Sequence, residues 1–197
     1  MADDDWPDNT NMTKPSVSLP GFSAPAAGFD QPFEMLTACH QRVLRSIGLL
    51  HRLRQHVAQH GHDANSRSAA ADILRYFDIA GPLHHEDEEL HLFPALRTHP
   101  NAQVRAAVAQ LQDEHRQMHA TWTQLRTLLL HWRDDAQPPA PSAAGDTLIT
   151  AFSTAYQRHI DLEETLAYPA AQAMLAPATL SSMGAEMSAR RRTDARR

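Results

Sequence analysis

Five histidines and two glutamates of this chain recur at a spacing that places them on shared helix faces. They are His40, the pair His84 and Glu88, the pair His115 and His119, and the pair His159 and Glu163. The members of each pair are four residues apart, which is about one helical turn, so each pair lies on one face. Burying seven such groups in one core would be very unfavourable without positive charge among them. The pattern predicts a helical protein whose core binds cations, and seven candidates are enough for a two-metal centre.

The composition favours one helical domain with flanking tails. The chain has 197 residues, 42% of them hydrophobic, and only seven glycines, which favours helices over strands. A net charge of −5 excludes the strongly basic footprint of a nucleic-acid-binding protein, so we expect no nucleic-acid partner. Cys39 is the single cysteine, which excludes an internal disulfide framework and cysteine-based zinc motifs.

The sequence contains no segment that suggests a membrane or secretory destination. No apolar run approaches the roughly 20 residues that a membrane helix needs, so we expect no membrane partner. Residues 1–9 are acidic and lack the basic start and apolar stretch of a secretory signal. These features favour a cytoplasmic protein, and they leave the oligomeric state open.

Apolar periodicity predicts an all-α protein, an up-down-up-down four-helix bundle. The predicted helices cover about 32–61, 66–97, 101–133 and 146–176, and Gly81-Pro82 is expected to kink the second. The predicted domains are a flexible N-terminal extension (1–31), the bundle (32–177), and a short helix with a basic tail (178–197). In antiparallel neighbours, the candidate histidines can reach one level of the bundle.

Two segments of the chain share one longer motif. His84 to Pro94 and His159 to Pro169 both read His-x-x-x-Glu-Glu, followed by proline ten residues after the histidine. Between them lies the His-x-x-x-His of residues 115–119. With His40 on the first helix, this arrangement resembles the hemerythrin HHE-type cation-binding domain over roughly residues 33–176.

The resemblance implies a ligand set and a cofactor. Glu88 and Glu163 would bridge two non-haem irons joined by an oxo or hydroxo group. The set of three histidines on one iron would be His115, His119 and His159. His40 and His84 would bind the other iron, which would keep an open position for a small ligand such as dioxygen. Imidazole with carboxylate also suits zinc or manganese, which remain alternatives.

Helical phase separates the candidates from their neighbours. Oxygen-carrying hemerythrins place the last carboxylate five residues after the histidine, which would be Glu164 here. Around the helix axis, Glu163, four residues after His159, lies about 40° from it, whereas Glu164, five residues after it, lies about 140° away. We therefore expect Glu163 to be the bridge. By the same reasoning, His85, Glu89 and Glu164 fall off the ligand face, and we expect them to be solvated or to support the ligands.

Two functions fit this pattern. The first is a hemerythrin-like di-iron protein that binds dioxygen or a similar small ligand, or senses oxygen or iron. The alternative is a di-iron redox protein that acts on peroxide or nitric oxide, or in iron–sulfur cluster repair. The ligands do not decide whether the chain is an enzyme, although they favour a binding protein, and a zinc-stapled bundle is the structural alternative.

Overall fold

The computed structural model describes residues 28–194, and within that range the protein is helical without strands. The α-helices are α1 (Pro32–His60), α2 (Ala64–Arg75), α3 (Gly81–Asp87), α4 (Phe93–Leu96), α5 (Ala102–Asp134), α6 (Ala143–Leu162), α7 (Tyr168–Met174) and α8 (Pro177–Asp194). Three π-helical segments join some of them end to end: π1 (Tyr76–Ala80), π2 (Glu88–Leu92) and π3 (Glu163–Ala167).

These elements form four long rods and a fifth helix. Rod one is α1, rod two runs from α2 to α4, rod three is α5, and rod four is α6 to α7. Neighbouring rods pack against each other in chain order, and the fourth packs back on the first. The predicted all-α bundle is confirmed. Residues 1–27 of the predicted N-terminal extension lie outside the described residues.

Each π segment ends immediately before a residue–proline pair. The amides of Gly81, Phe93 and Tyr168 each donate to the carbonyl five residues earlier rather than four. Pro82, Pro94 and Pro169 follow them, and proline has no amide hydrogen to donate. The wider π turn absorbs one extra residue where the regular ladder fails, so helical hydrogen bonding continues up to Gly81-Pro82. The kink expected at Gly81-Pro82 stays a prediction.

The apolar core is divided by a belt of polar residues. One apolar cluster fills one end of the bundle around Phe77, Trp122 and Phe152. A second fills the other end around Leu36 and Phe93. Six of the seven candidate histidines and glutamates lie buried between these clusters, and His119 does not. The polar groups are therefore sealed from solvent on both sides along the bundle axis.

The C-terminal segment forms a longer helix than the sequence predicted. In place of a short helix within 178–197, α8 has 18 residues. Met183 and Met187 of α8 are buried in the second apolar cluster, so this helix closes that end of the bundle. Among residues 28–194, no helix has the length and apolar character needed to cross a membrane.

Candidate metal centre

Each rod contributes one buried histidine to the polar belt. They are His40 from α1, His84 from α3, His115 from α5 and His159 from α6, and none is more than 5% exposed. Apolar positions flank each of them, such as Leu36 and Val43 around His40. The side chains that pack these helices together therefore also hold the four imidazoles at one level.

Two fully buried glutamates lie between the imidazoles, and each faces two rods. Oε2 of Glu163 is 3.1 Å from Nε2 of His40, and Oε1 is 2.9 Å from Nε2 of His159. Oε1 of Glu88 is 3.5 Å from Nε2 of His84, and Oε2 is 3.4 Å from Nε2 of His115. Each carboxylate thus presents one oxygen to either side.

The belt divides into two overlapping groups that share both carboxylates. In each group, one atom per residue lies within 4.8 Å of the others. The first group is His40, His84, Glu88 and Glu163, and the second is His115, His159, Glu88 and Glu163. A further grouping joins His85 to His115 and His159.

His85 lies where His119 was expected. Its ring stacks on His115 with centroids 4.0 Å apart, whereas the side chain of His119 is exposed and belongs to neither group. Adjacent residues on a helix point about 100° apart. With two groups side by side, His84 can face His40 of α1 while His85 faces His115 of α5. The expectation that His85 points away from the ligands assumed that all ligands on this rod face one group of residues.

In three of the histidines, the ring nitrogen that faces away from the centre, Nδ1, lies within hydrogen-bond distance of a glutamate carboxylate. Nδ1 of His40 is 2.8 Å from Glu164, Nδ1 of His115 is 2.7 Å from Glu89, and Nδ1 of His159 is 2.9 Å from Glu114; these are the three supporting carboxylates. Such partners fix the tautomer, so that Nε2 keeps its lone pair for a metal. Glu89 and Glu164 therefore support imidazoles, and Glu163 rather than Glu164 enters the groups.

Some buried polar atoms of the centre lack hydrogen bonds from the surrounding side chains. Among the described residues, both oxygens of Glu163, Oε2 of Glu88 and Nδ1 of His84 are buried and make no hydrogen bond of acceptable geometry, although an imidazole Nε2 lies 2.9–3.4 Å from each of the three oxygens. Buried carboxylate oxygens seldom lack a partner, and a cation between them would supply one. The donor set fits a metal.

The protonation equilibria lead to the same conclusion. Burial and the nearby Glu163 raise the pKa of Glu88 to about 7. Burial lowers the pKa of His159, but Glu163 and Glu114 outweigh it and raise that pKa to about 10. Burial and the nearby His40 hold the pKa of His84 well below its usual value. Protons therefore occupy part of the centre when no cation does, and a cation would replace them.

Tyr168 was not among the predicted site residues, yet its hydroxyl lies inside the centre. It donates a hydrogen bond to Oε1 of Glu88 and is 3.1 Å from Nε2 of His40. The regular α-helical period places Tyr168 about 180° from His159, nine residues earlier. π3 lies between them and turns Tyr168 inward. The proline after Tyr168 was the available signal.

Fold and site together define a helical-bundle protein with a histidine- and glutamate-lined cation site. The model of the hemerythrin HHE cation-binding domain matches residues 31–171, and the chain belongs to that family. It is also similar to an uncharacterized protein of Haemophilus influenzae, with 36% identity over 170 residues that cover 84% of this chain and 92% of the relative.

Proposed function

We propose that the chain is a non-haem di-iron protein that binds dioxygen or a similarly small ligand. His40 and His84 would hold one ion, and Glu88 and Glu163 would bridge to the second. His115, His159 and His85 would hold the second ion. The observation that supports this proposal most directly is the pair of carboxylates, because each presents its two oxygens to different imidazole groups.

The donor set favours iron over other choices. Imidazole and carboxylate suit iron, zinc and manganese, and neither group includes a thiolate that would favour copper(I). A ferrous pair supplies electrons and coordination positions to a small neutral molecule. Zinc lacks redox chemistry and would act only as a structural clamp.

A small cavity on the side of the bundle reaches His85, whose ring stacks on His115 of the second group. Its volume is about 60 Å³. The lining residues are Phe77, Gly81, Pro82, His85, Met118, His119, Trp122 and Tyr156. We call it the side passage. Its lining includes both the half-buried His85 and the exposed His119.

The walls of the side passage select by size and polarity. Phe77 packs against Trp122 with ring centroids 5.1 Å apart and against Tyr156 at 5.6 Å. These rings exclude bulk water, and the volume suits a molecule of two or three heavy atoms. A small ligand that enters through the side passage would therefore bind at the ion of the second group. The resemblance had instead implied the His40 and His84 ion.

The test is to load the protein with ferrous iron under anaerobic conditions, count metals, admit dioxygen, and then remove it. Two irons per chain and a visible spectrum that appears with dioxygen and reverses on its removal are expected. One zinc per chain, with no iron taken up after loading, would overturn the di-iron proposal. Irreversible oxidation with consumption of peroxide or nitric oxide would replace dioxygen binding by the redox alternative. The cytoplasmic location stays a prediction from the sequence.

A further inference from the structure

Tyr168 is positioned among the atoms of the first group rather than beside them. Its side chain is 5% exposed, and its hydroxyl contacts Oε1 of Glu88 and Nε2 of His40. Both atoms belong to residues of the first group, which is His40, His84, Glu88 and Glu163. An oxygen so close to two candidate donor atoms shares their access to an ion bound there.

The tyrosine ring is held by contacts on more than one side. It stacks on the ring of His40 with centroids 5.3 Å apart and planes 12° from parallel. The ring of Phe33 packs against its edge at 6.0 Å. Its backbone amide donates to the carbonyl of Glu163, which closes π3. The hydroxyl is therefore positioned by the same backbone segment that begins with Glu163.

A third imidazole lies next to the second group, whereas within residues 28–194 none is grouped with the first. His40 and His84 are its only nitrogen donors among the described residues, whereas His85 can join His115 and His159. A phenolic oxygen would raise the first group to five protein side chains, equal to the second. Phenolate is a hard anionic donor, and tyrosine is an established protein ligand of iron.

We propose that the phenolic oxygen of Tyr168 is a ligand of the ion held by His40 and His84. Coordination replaces the phenolic O–H bond by an oxygen–metal bond and releases one proton to the solvent, because Oε1 of Glu88 would itself be a ligand of the ion. No electron is transferred in this step. The inference rests on the proposed di-iron function and adds to it a ligand outside the histidine and glutamate set.

The consequence for the small ligand is directional. Tyr168 would fill a position at the first ion. The second ion, next to the side passage, would then keep the position available to an incoming molecule. The two ions would therefore differ in their protein ligands and in whether they can bind a small molecule.

The experiment compares the ferric di-iron forms of the unaltered protein, Tyr168→Phe and Tyr156→Phe. Tyr156 is a matched control: it is 4% exposed and stacks with His85, but in the described part of the chain its hydroxyl bonds to no candidate ligand. A phenolate-to-iron charge-transfer band, with tyrosine ring modes in the resonance Raman spectrum, is expected in the unaltered protein and in Tyr156→Phe. Both signatures should vanish in Tyr168→Phe, which retains the ring, while its iron count stays at two.

The outcomes separate this inference from the proposed function. If the unaltered protein holds two irons but shows no tyrosinate modes, Tyr168 is not a ligand and the di-iron proposal stands. If the modes persist in Tyr168→Phe, the inference is equally overturned. If the unaltered protein never takes up two irons, the di-iron proposal itself fails, and this inference fails with it.

Discussion

Asp87 and Arg191 form an ion pair one residue before the bridging candidate Glu88. Nη2 of Arg191 donates to Oδ2 of Asp87 at 2.6 Å, and the Asp87 side chain is fully buried. Arg190 approaches the other oxygen at 3.2 Å. Through this pair, α8 is attached to the rod that contains half of the centre.

Arg191→Met should destabilise the fold by about 1–3 kcal/mol, because it leaves a buried carboxylate short of donors. Urea unfolding of the metal-free protein measures the change. Arg192→Met is the control, since Arg192 is exposed and its one recorded side-chain partner within residues 28–194 is Ser188 of its own helix. Equal unfolding free energies for the two variants would mean that α8 is not anchored by this pair.

His85→Ala should weaken metal binding at the second group, whereas His119→Ala should leave it unchanged. His85 stacks on His115 inside the centre, and His119 is exposed outside it. Isothermal titration with ferrous iron, or elemental analysis after dialysis, distinguishes the two variants. The reverse ranking would restore the pair His115 and His119 that the sequence suggested.

Glu163→Gln should abolish the two-metal centre, and Glu164→Gln should keep both ions with weaker affinity. Glu163 faces His40 and His159 at once, while Glu164 touches only the outer nitrogen of His40. Loss of such a supporting carboxylate costs about 10- to 100-fold in metal affinity. A retained two-iron spectrum in Glu163→Gln would identify Glu164 as the bridge.

Removing the metal should lower the melting temperature. An ion that binds only the folded state adds about 4 kcal/mol when free metal exceeds its Kd a thousandfold. For a chain of this size each kcal/mol is worth roughly 2–4 °C. Calorimetry before and after treatment with a chelator measures the difference, with metal content checked on the same samples. An unchanged melting temperature would point to a weak, solvated site.

Gly81→Val should slow the entry of a small ligand severalfold without changing the iron count. A Cβ at Gly81 would lie 3.7 Å from the Tyr156 hydroxyl and 3.8 Å from Phe77, so it fits, and the added methyl groups narrow the side passage. Stopped-flow mixing of the reduced protein with nitric oxide measures the rate. Gly48→Val on α1, away from this passage, controls for the substitution itself. Equal rates would indicate another route.

The helical period was sufficient to predict the bundle and the pairing of His84 with Glu88. Regular spacing is a local property, and each rod is regular over most of its length. The same period gave no reason to include Tyr168, because π3 changes the register between His159 and Tyr168. It also gave no sign that His85 lies beside His115 and His159, since the existence of two neighbouring groups is decided by how separate rods pack. Neither fact is encoded in the spacing within one rod.

The proline after each π segment has a consequence for how the centre accepts its ions. Pro94 and Pro169 prevent their rods from relaxing into unbroken α-helix, whether or not a metal is bound. The orientation of Glu88 and Glu163 is therefore a property of the polypeptide and is not imposed by the ligand. The centre is preorganised, and little of the binding free energy is consumed in reshaping it. Ions could then be exchanged in a bundle whose helices keep their places.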